Sequence, residues 1–348
     1  TTFSLRSVQA EEGKELVQEN CASCHGNSDL NLITLSSMSY FTKNEMIDVL
    51  SEGKMKTQAE NLTNQEKEKI ADFLTKGGAY GDDAELVYCS KKLDAEALKG
   101  GSQWGSWGHD PSNTRHQPSS IINSRNIDKL KLKWSFGLRT NNPRAQPIAV
   151  GSVLFISAGD TTYALNKKSG CAYWTFTSAA RLRNSPAFDT NMKDSIYVID
   201  TDFGTYKIDA ITGQLIWKIN IPKETEWSTA SASPILIGSR LVVPLSTLET
   251  VAPINPKHEC CKSSGGVALL DAKTGDIIWS HRVLEKAKYV GKVFVTQTKK
   301  FAPAGAAVWN APGVDLVNKR IFFGTGQSTQ SPASEFSDSI ISIDLETG

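Results

Sequence analysis

Apolar and polar positions along the chain follow two different periods. Up to about residue 80 the spacing is helical: Ala10 to Asn20 reads as a short amphipathic helix, and Lys43 to Ser51 places Met46, Ile47 and Leu50 on one face. A third helix is set off by its own punctuation. Thr63-Asn64-Gln65-Glu66 forms a capping box, Ile70, Phe73 and Leu74 supply the apolar face, and Gly77-Gly78 ends it. Gly77 to Gln103 is polar and contains Gly and Asp, and beyond Trp104 the helical period vanishes. Short β-rich runs such as Val153-Leu154-Phe155-Ile156, Ser195-Ile196-Tyr197-Val198-Ile199 and Arg320-Ile321-Phe322-Phe323 then alternate with Gly, Asp and Ser turns. The expected organisation is an all-α unit over residues 1–80, a linker over 81–103 and an all-β unit over 104–348.

One unit recurs in the second part. Ala164-Leu165-Asn166-Lys167-Lys168-Ser169-Gly170 is followed by Trp174, Lys207-Ile208-Asp209-Ala210-Ile211-Thr212-Gly213 by Trp217, and Ala268-Leu269-Leu270-Asp271-Ala272-Lys273-Thr274-Gly275 by Trp279. A fourth copy, Ser342-Ile343-Asp344-Leu345-Glu346-Thr347-Gly348, lies at the end. Each copy reads as a strand, a tight turn closed by Asp or Asn and Gly, and a second strand beginning with a buried Trp. Repeats on the scale of about 40–50 residues, with insertions, are those of four-stranded propeller blades. A β-sandwich with coincidental hairpins is the alternative, and three Trp-bearing copies in register disfavour it.

Composition narrows the function classes. The chain has 348 residues, 39% hydrophobic and 22% charged, a globular composition of more than one domain. A net charge of +1, with no Lys/Arg run beyond two or three residues, argues against a nucleic-acid partner. Apolar stretches are strand-sized, well short of the roughly 18 residues of a membrane helix, so a soluble protein is expected. The chain starts TTFSLRS without an initiator Met, as after removal of a secretion signal.

Candidate chemistry is concentrated in Cys21-Ala22-Ser23-Cys24-His25. Two thiols spaced in this way add across the vinyl groups of a haem, and the following His lies under the iron. A thioredoxin-like pair would want a βαβ context, and zinc a second Cys/His pair nearby; neither is present. Met38, Met46 and Met55 compete for the sixth iron position. Met46 lies on an apolar helical face, whereas Met55 follows Glu52-Gly53-Lys54 on the loop between the last two helices, which favours it. The adjacent Cys260 and Cys261 are either two thiols or a vicinal disulfide, the latter requiring an oxidising compartment. Covalent haem and such a disulfide point together to a periplasmic or extracellular address, which leaves Cys89 and Cys171 to pair with each other.

The TG-x-x-x-W repeats and the junction Trp107-Gly108-His109-Asp110-Pro111-Ser112-Asn113-Thr114-Arg115 resemble the propellers of pyrroloquinoline quinone (PQQ) dehydrogenases. A haem domain before the propeller, with Glu259-Cys260-Cys261-Lys262 inside it, resembles the quinohaemoprotein alcohol dehydrogenases and the polyvinyl-alcohol dehydrogenase group in particular. Gly53-Lys54-Met55 with Leu62-Thr63 and Glu66 is similar to that group's haem domain, and Cys89 and Cys171 match positions that are paired there. The resemblance implies oxidation of an alcohol at PQQ, with Ca²⁺ polarising the quinone, and electrons leaving one at a time through haem c to an external electron acceptor. It implies Arg183 as a clamp on a PQQ carboxylate, Trp309 as the ring under the quinone, and Gln146 and Ser231 as polar contacts. Glu249 matches the carboxylate ligand of calcium, and Gln327 stands where the second ligand is the shorter Asn or Asp.

An eight-bladed propeller of this kind needs on the order of 450 residues, and about 245 follow the linker here. About half a propeller is expected, with the family's catalytic Asp beyond Gly348 and a second chain completing the blades. The competing function is a non-enzymatic c-type cytochrome fused to a propeller that has lost its quinone, acting in electron transfer or binding. A redox sensor using Cys260-Cys261 is a third reading.

Overall fold

The computed structural model describes residues 12–27, 30, 32, 35, 38, 43–75, 86–100, 103–138, 143–189 and 194–348. They fall into two compact units, Thr1–Glu85 with Gly137–Pro143, and Leu86–Phe136 with Arg144–Gly348.

The first unit is helical. Helix α1 spans residues 12–20, a single turn α2 spans Ala22–His25, and α3 and α4 span Lys43–Ser51 and Asn64–Thr75. Val17, Met46, Leu50, Ile70, Phe73 and Leu74 meet in one core. The capping box forms as expected: Thr63 N and Oγ1 both donate to Glu66 Oε2 at 2.7 Å, and Glu66 N donates back to Thr63 Oγ1 at 3.3 Å. Gly13 lets α1 approach α4, because a Cβ there would lie 2.7 Å from Lys69 O and 2.9 Å from Phe73 Cβ. The expected Gly77-Gly78 stop and residues 10–11 lie outside the described residues.

The second unit is a run of antiparallel sheets whose strands follow chain order, except that the short first strand of the third sheet pairs with that sheet's third strand. The first contains β1 (Ile148–Val150), β2 (Val153–Ala158), β3 (Thr161–Asn166) and β4 (Ala172–Thr177). The second contains β5 (Ala187–Phe188), β6 (Ser195–Ile199), β7 (Gly204–Asp209) and β8 (Leu215–Asn220). The third contains β9 (Ser228–Thr229), β10 (Ile235–Ile237), β11 (Arg240–Thr247), β12 (Gly266–Asp271) and β13 (Ile277–Arg282). A hairpin, β14 (Lys288–Lys292) and β15 (Lys299–Ala302), precedes a last sheet of β16 (Gly313–Asp315), β17 (Arg320–Gly324) and β18 (Ile340–Asp344). The sheets stay separate, as propeller blades do, and do not close into a barrel among the described residues.

Side-chain alternation along a strand explains why the middle sheets read as unbroken apolar runs. On β6, Ile196 and Val198 pack with Phe155, Trp174 and Ile148 of the first sheet, while Tyr197 and Ile199 pack with Leu241, Val243 and Leu270 of the third. On β11, Val242 turns the other way and joins Ile321, Phe323 and Ile343 of the last sheet and Val308 of the segment before it. Both faces are buried, so neither face is polar.

The repeated Trp and Gly connect neighbouring sheets. A Cβ on Gly213 (φ +72°) would lie 2.6 Å from the Trp174 ring, and one on Gly348 would lie 2.9 Å from Trp279. The indoles donate to the same turns, Trp174 Nε1 to Ala210 O and Trp279 Nε1 to Leu345 O, both at 3.1 Å. The ladder shifts register just before each of these tryptophans, skipping Tyr173, Ile216 and Ile278. Trp134, which the repeat pattern did not single out, does the same for Gly170: its Nε1 donates to Lys167 O at 3.2 Å. The stretch around Trp134 therefore takes an outer-strand place without a ladder partner among the described residues.

Part of the expected linker is packed structure. Leu93 and Leu98 are buried in the core of the first sheets, Tyr88 bridges to Ala172, and the Cys89–Cys171 disulfide fastens this segment to β4.

Candidate functional site

Each sheet begins with a short Pro-containing approach to its innermost strand: Gln146-Pro147-Ile148, Ser185-Pro186-Ala187, Ser233-Pro234-Ile235 and Ala311-Pro312-Gly313. Proline fixes φ and donates no hydrogen bond, which suits the first residue of a strand. The ends of the second strands, β11 and β17, come out at the same side as these approaches, because the strands run antiparallel. A cavity of about 630 Å³ lies there, within the range of about 300–1,000 Å³ usual for cofactor and small-molecule sites. The approach segments supply Arg144, Arg183, Ser231, Ser233, Ala307, Trp309 and Asn310, and the strand ends supply Ser246, Thr247, Thr250, Gln327 and Thr329.

Trp107 and Arg115 reach the cavity from the opening loop. That loop is held to the last sheet: Asn113 Nδ2 donates to Ala311 O at 3.0 Å and Pro312 O at 2.8 Å, and Ser112 Oγ donates to Val314 O at 3.1 Å. Its tight turn is closed by Arg115 N donating to Gly108 O at 2.9 Å and by Thr114 Oγ1 donating to Asp110. Gly108 is required there, since a Cβ would collide with the Asn113 side chain.

The electrostatics of the cavity are one-sided. Its lining contains three arginines and no carboxylate. Burial, then the charges of Arg144 and Arg181, push the Arg183 guanidinium down to about 10. Arg181 is lowered by burial and Arg144, with Asp160 acting against them. Crowded like charges favour occupation by an anion. Next to Arg183, Asn184 is 1% exposed and neither amide atom has a protein partner, and the hydroxyl of buried Ser185 also lacks one. Trp309 presents its ring at the cavity, 66% exposed.

Of the residues named from the sequence, Arg183, Ser231, Trp309 and Gln327 come together in this lining. Gln146 does not face it; its amide fits between Trp107 O, at 2.8 Å from Nε2, and Trp104 Nε1, at 3.3 Å from Oε1. Glu249 is buried beneath it. Its Oε2 accepts from Lys262 N and Ser263 N at 2.7 Å and from Ser263 Oγ at 2.5 Å, and Oε1 lies 3.1 Å from His258 Nε2. A calcium ion wants six to eight oxygen ligands. Here the proposed carboxylate ligand is already surrounded by donors, and the Gln327 amide donates to Thr250 Oγ1 at 3.4 Å. This donor set does not fit calcium.

Cys260 and Cys261 are joined as a buried disulfide outside the cavity lining. Arg115, Arg144, Thr247, Ser233 and Asn310 are lining residues that sequence reasoning missed. The repeated approach to each inner strand, present in the sequence, was the signal that could have found Ser233 and Asn310.

The helical unit holds the second site. Cys21 and Cys24 are unpaired, half-buried and exposed, and His25 is 9% exposed on the same helical turn. Burial and the neighbouring Cys24 push the Cys21 thiol up. Cys21, Ala22 and Met55 pack against one core, with Met46 inside it at 4% exposure and Met38 at 7%. Free paired thiols and a His on one turn, beside an apolar core edged by a thioether, fit a covalently attached haem.

The family described as the glucose/ethanol/alcohol dehydrogenase β-propeller domain (PQQ) matches residues 104–348, and the cytochrome c oxidase cbb3-type subunit III family matches residues 8–74. A polyvinylalcohol dehydrogenase of Sphingopyxis sp. (strain 113P3) is 29% identical over 360 residues, which cover 97% of this chain and 55% of that protein. A quinohemoprotein alcohol dehydrogenase of Comamonas testosteroni is 21% identical over 305 residues, covering 77% and 41%. Among solved structures, a quinohemoprotein alcohol dehydrogenase from Pseudomonas putida HK5 is similar in fold, with a TM-score of 0.58 at 20% identity, covering 76% of this chain and 42% of that one. The chain spans about half the length of the curated relatives it matches. With that match running across every sheet that borders the cavity, the chain belongs to the PQQ β-propeller family of glucose/ethanol/alcohol dehydrogenases and carries a cytochrome-type unit ahead of its propeller sheets.

Proposed function

We propose that this chain is the haem-bearing, quinone-facing part of an exported quinohaemoprotein dehydrogenase that oxidises an alcohol at PQQ and passes electrons one at a time through haem c to an external acceptor. The observation that carries the reading is the cavity whose lining combines Arg115, Arg144 and Arg183 with an exposed Trp309 and no carboxylate. A flat, multiply carboxylated aromatic cofactor is the ligand such a lining suits. The guanidiniums would hold its carboxylates by paired N–H donors, Trp309 would supply an aromatic face for its ring, and Ser231, Thr247 and Gln327 would offer neutral polar contacts. Bound PQQ supplies a two-electron acceptor for the alcohol and a donor for the haem. Cys21 and Cys24 would hold the haem covalently, and His25 and Met55 would ligate its iron, a ligand pair that raises the potential.

The outer-strand place of Trp134 calls for inner strands that the described residues do not supply. The reading is that further blades complete the propeller, on a second chain or a continuation, and bring the catalytic Asp. A periplasmic or extracellular address is part of the same reading, supported by the Cys89–Cys171 disulfide.

The test is an absorption spectrum of the protein assembled with its remaining blades, before and after PQQ, with and without Ca²⁺, and then an alcohol. Haem reduction by alcohol that requires PQQ is the expected result. The second reading, a cytochrome fused to a propeller without quinone, is favoured by the donor-filled Glu249 and by Gln327. It wins if external donors reduce the haem, alcohol never does, and PQQ leaves the Trp fluorescence unquenched.

A further inference from the structure

The β14–β15 hairpin is inserted between the third and last sheets. Its apex is a closed turn. Val293 N donates to Thr298 O and Gln297 N to Val293 O, both at 2.9 Å, and Gln297 Nε2 donates to Phe294 O at 2.8 Å. This well-bonded turn nevertheless presents Phe294 at 92% and Val295 at 85% exposure, with Tyr289 at 57% on the strand behind. Leaving a Phe and a Val in water forgoes most of what burial of such side chains contributes.

Behind the apex is a collar of one charge. Lys288, Lys292, Lys299 and Lys300 lie on the hairpin and Lys286 just before it, and no Asp or Glu occurs from Lys286 to Val314. Lys292 and Lys299 are direct partners across the ladder, where like charges repel. Lys299 is answered by Glu259 at 3.0 Å and Lys288 by Glu285 at 3.8 Å. Lys292 and Lys286 have no ion-pair partner among the described residues.

We propose that this hairpin docks the protein on an anionic lipid bilayer, with Phe294 and Val295 entering the interfacial layer and the lysine collar resting on the headgroup phosphates. Charge complementarity selects an anionic partner. The shape selects a bilayer over an acidic protein, because two adjacent apolar side chains on a narrow convex tip need a surface that yields around them. No helix of the described residues is long and apolar enough to cross a membrane, so attachment would be peripheral and salt-sensitive.

The experiment is flotation of the full chain with phosphatidylcholine vesicles, with and without phosphatidylglycerol, at rising salt. Recovery with the anionic vesicles alone, declining as salt screens it, is expected. The F294S/V295S pair and the K292E/K299E pair should each lower recovery by about tenfold or more. All four positions are exposed, and unchanged circular dichroism melts confirm that the variants remain folded. Equal recovery with neutral vesicles, no recovery at low salt, or full recovery of both folded variants overturns the proposal. So does a hairpin-dependent complex with a soluble acidic protein in place of vesicle binding.

Discussion

Glu249 is 2% exposed, and one of its oxygens collects three hydrogen bonds from the segment that carries the cysteine pair. Replacing it by Gln sets an amide against backbone donors and should cost about 2–3 kcal/mol, read as a lower melting temperature of the sheet unit. Retention of wild-type stability would show that those bonds contribute little. Arg183 makes a prediction of opposite character. Its depressed pKa means that it is cationic at neutral pH and begins to lose its proton near 10 instead of at the ordinary arginine value. Anion binding in the cavity, followed by quenching of Trp fluorescence with PQQ, should therefore be present at neutral pH and weaken as pH rises through about 10. In R183Q that step should disappear, along with about tenfold of affinity. The two kinds of residue differ in how far the sequence revealed them. Cys21, Cys24 and His25 lie within a single helical turn, so the spacing proposed for haem attachment is written in five consecutive letters. Arg115 and Arg144 are ordinary surface arginines until the opening loop and the first approach segment meet across the cavity.

At the scale of elements, the Trp and Gly of each repeat act between sheets. Gly213 has both a positive φ and the Trp174 ring 2.6 Å from the position of a Cβ. G213A should destabilise the sheet unit by about 2 kcal/mol or more, combining backbone strain with displacement of the indole. Chemical denaturation with circular dichroism measures this, and a change below about 0.5 kcal/mol would mean that the docking is loose. The repeat was plain in the sequence because turn chemistry and a large aromatic leave a local signature. The register shift before each Trp left none, since one skipped residue alters no composition. Trp134 escaped notice because it lies in a stretch without its own turn motif, and its role depends on Gly170 of the next sheet. The packed segment around Leu93 and Leu98 was likewise unreadable: its polar composition suggested a linker, while two leucines and Cys89 tie it to the first sheet.

For the molecule as a whole, the disulfide between Cys89 and Cys171 spans 82 positions. Closing a loop of that length restricts the unfolded chain enough to contribute about 4 kcal/mol. The C89S/C171S protein should therefore melt several degrees lower in a calorimetric scan, with the helical unit's own transition unmoved, since the bond lies within the sheet unit. A shift of both transitions would reveal coupling between the units. The sequence by itself determined the helical unit with its Cys21-to-His25 turn, the propeller type of the rest, and the recurring strand, turn and Trp unit within it. These follow from short-range periodicity, turn chemistry and spacing, which are properties of neighbouring residues. Only the tertiary structure decided that Arg115 and Arg144 join Arg183 in one cavity, that Glu249 is enclosed by backbone donors, and that an apolar tip with a lysine collar stands free. Each of these depends on which sheet ends converge and which surfaces remain uncovered, and that is fixed by packing between segments far apart in the chain.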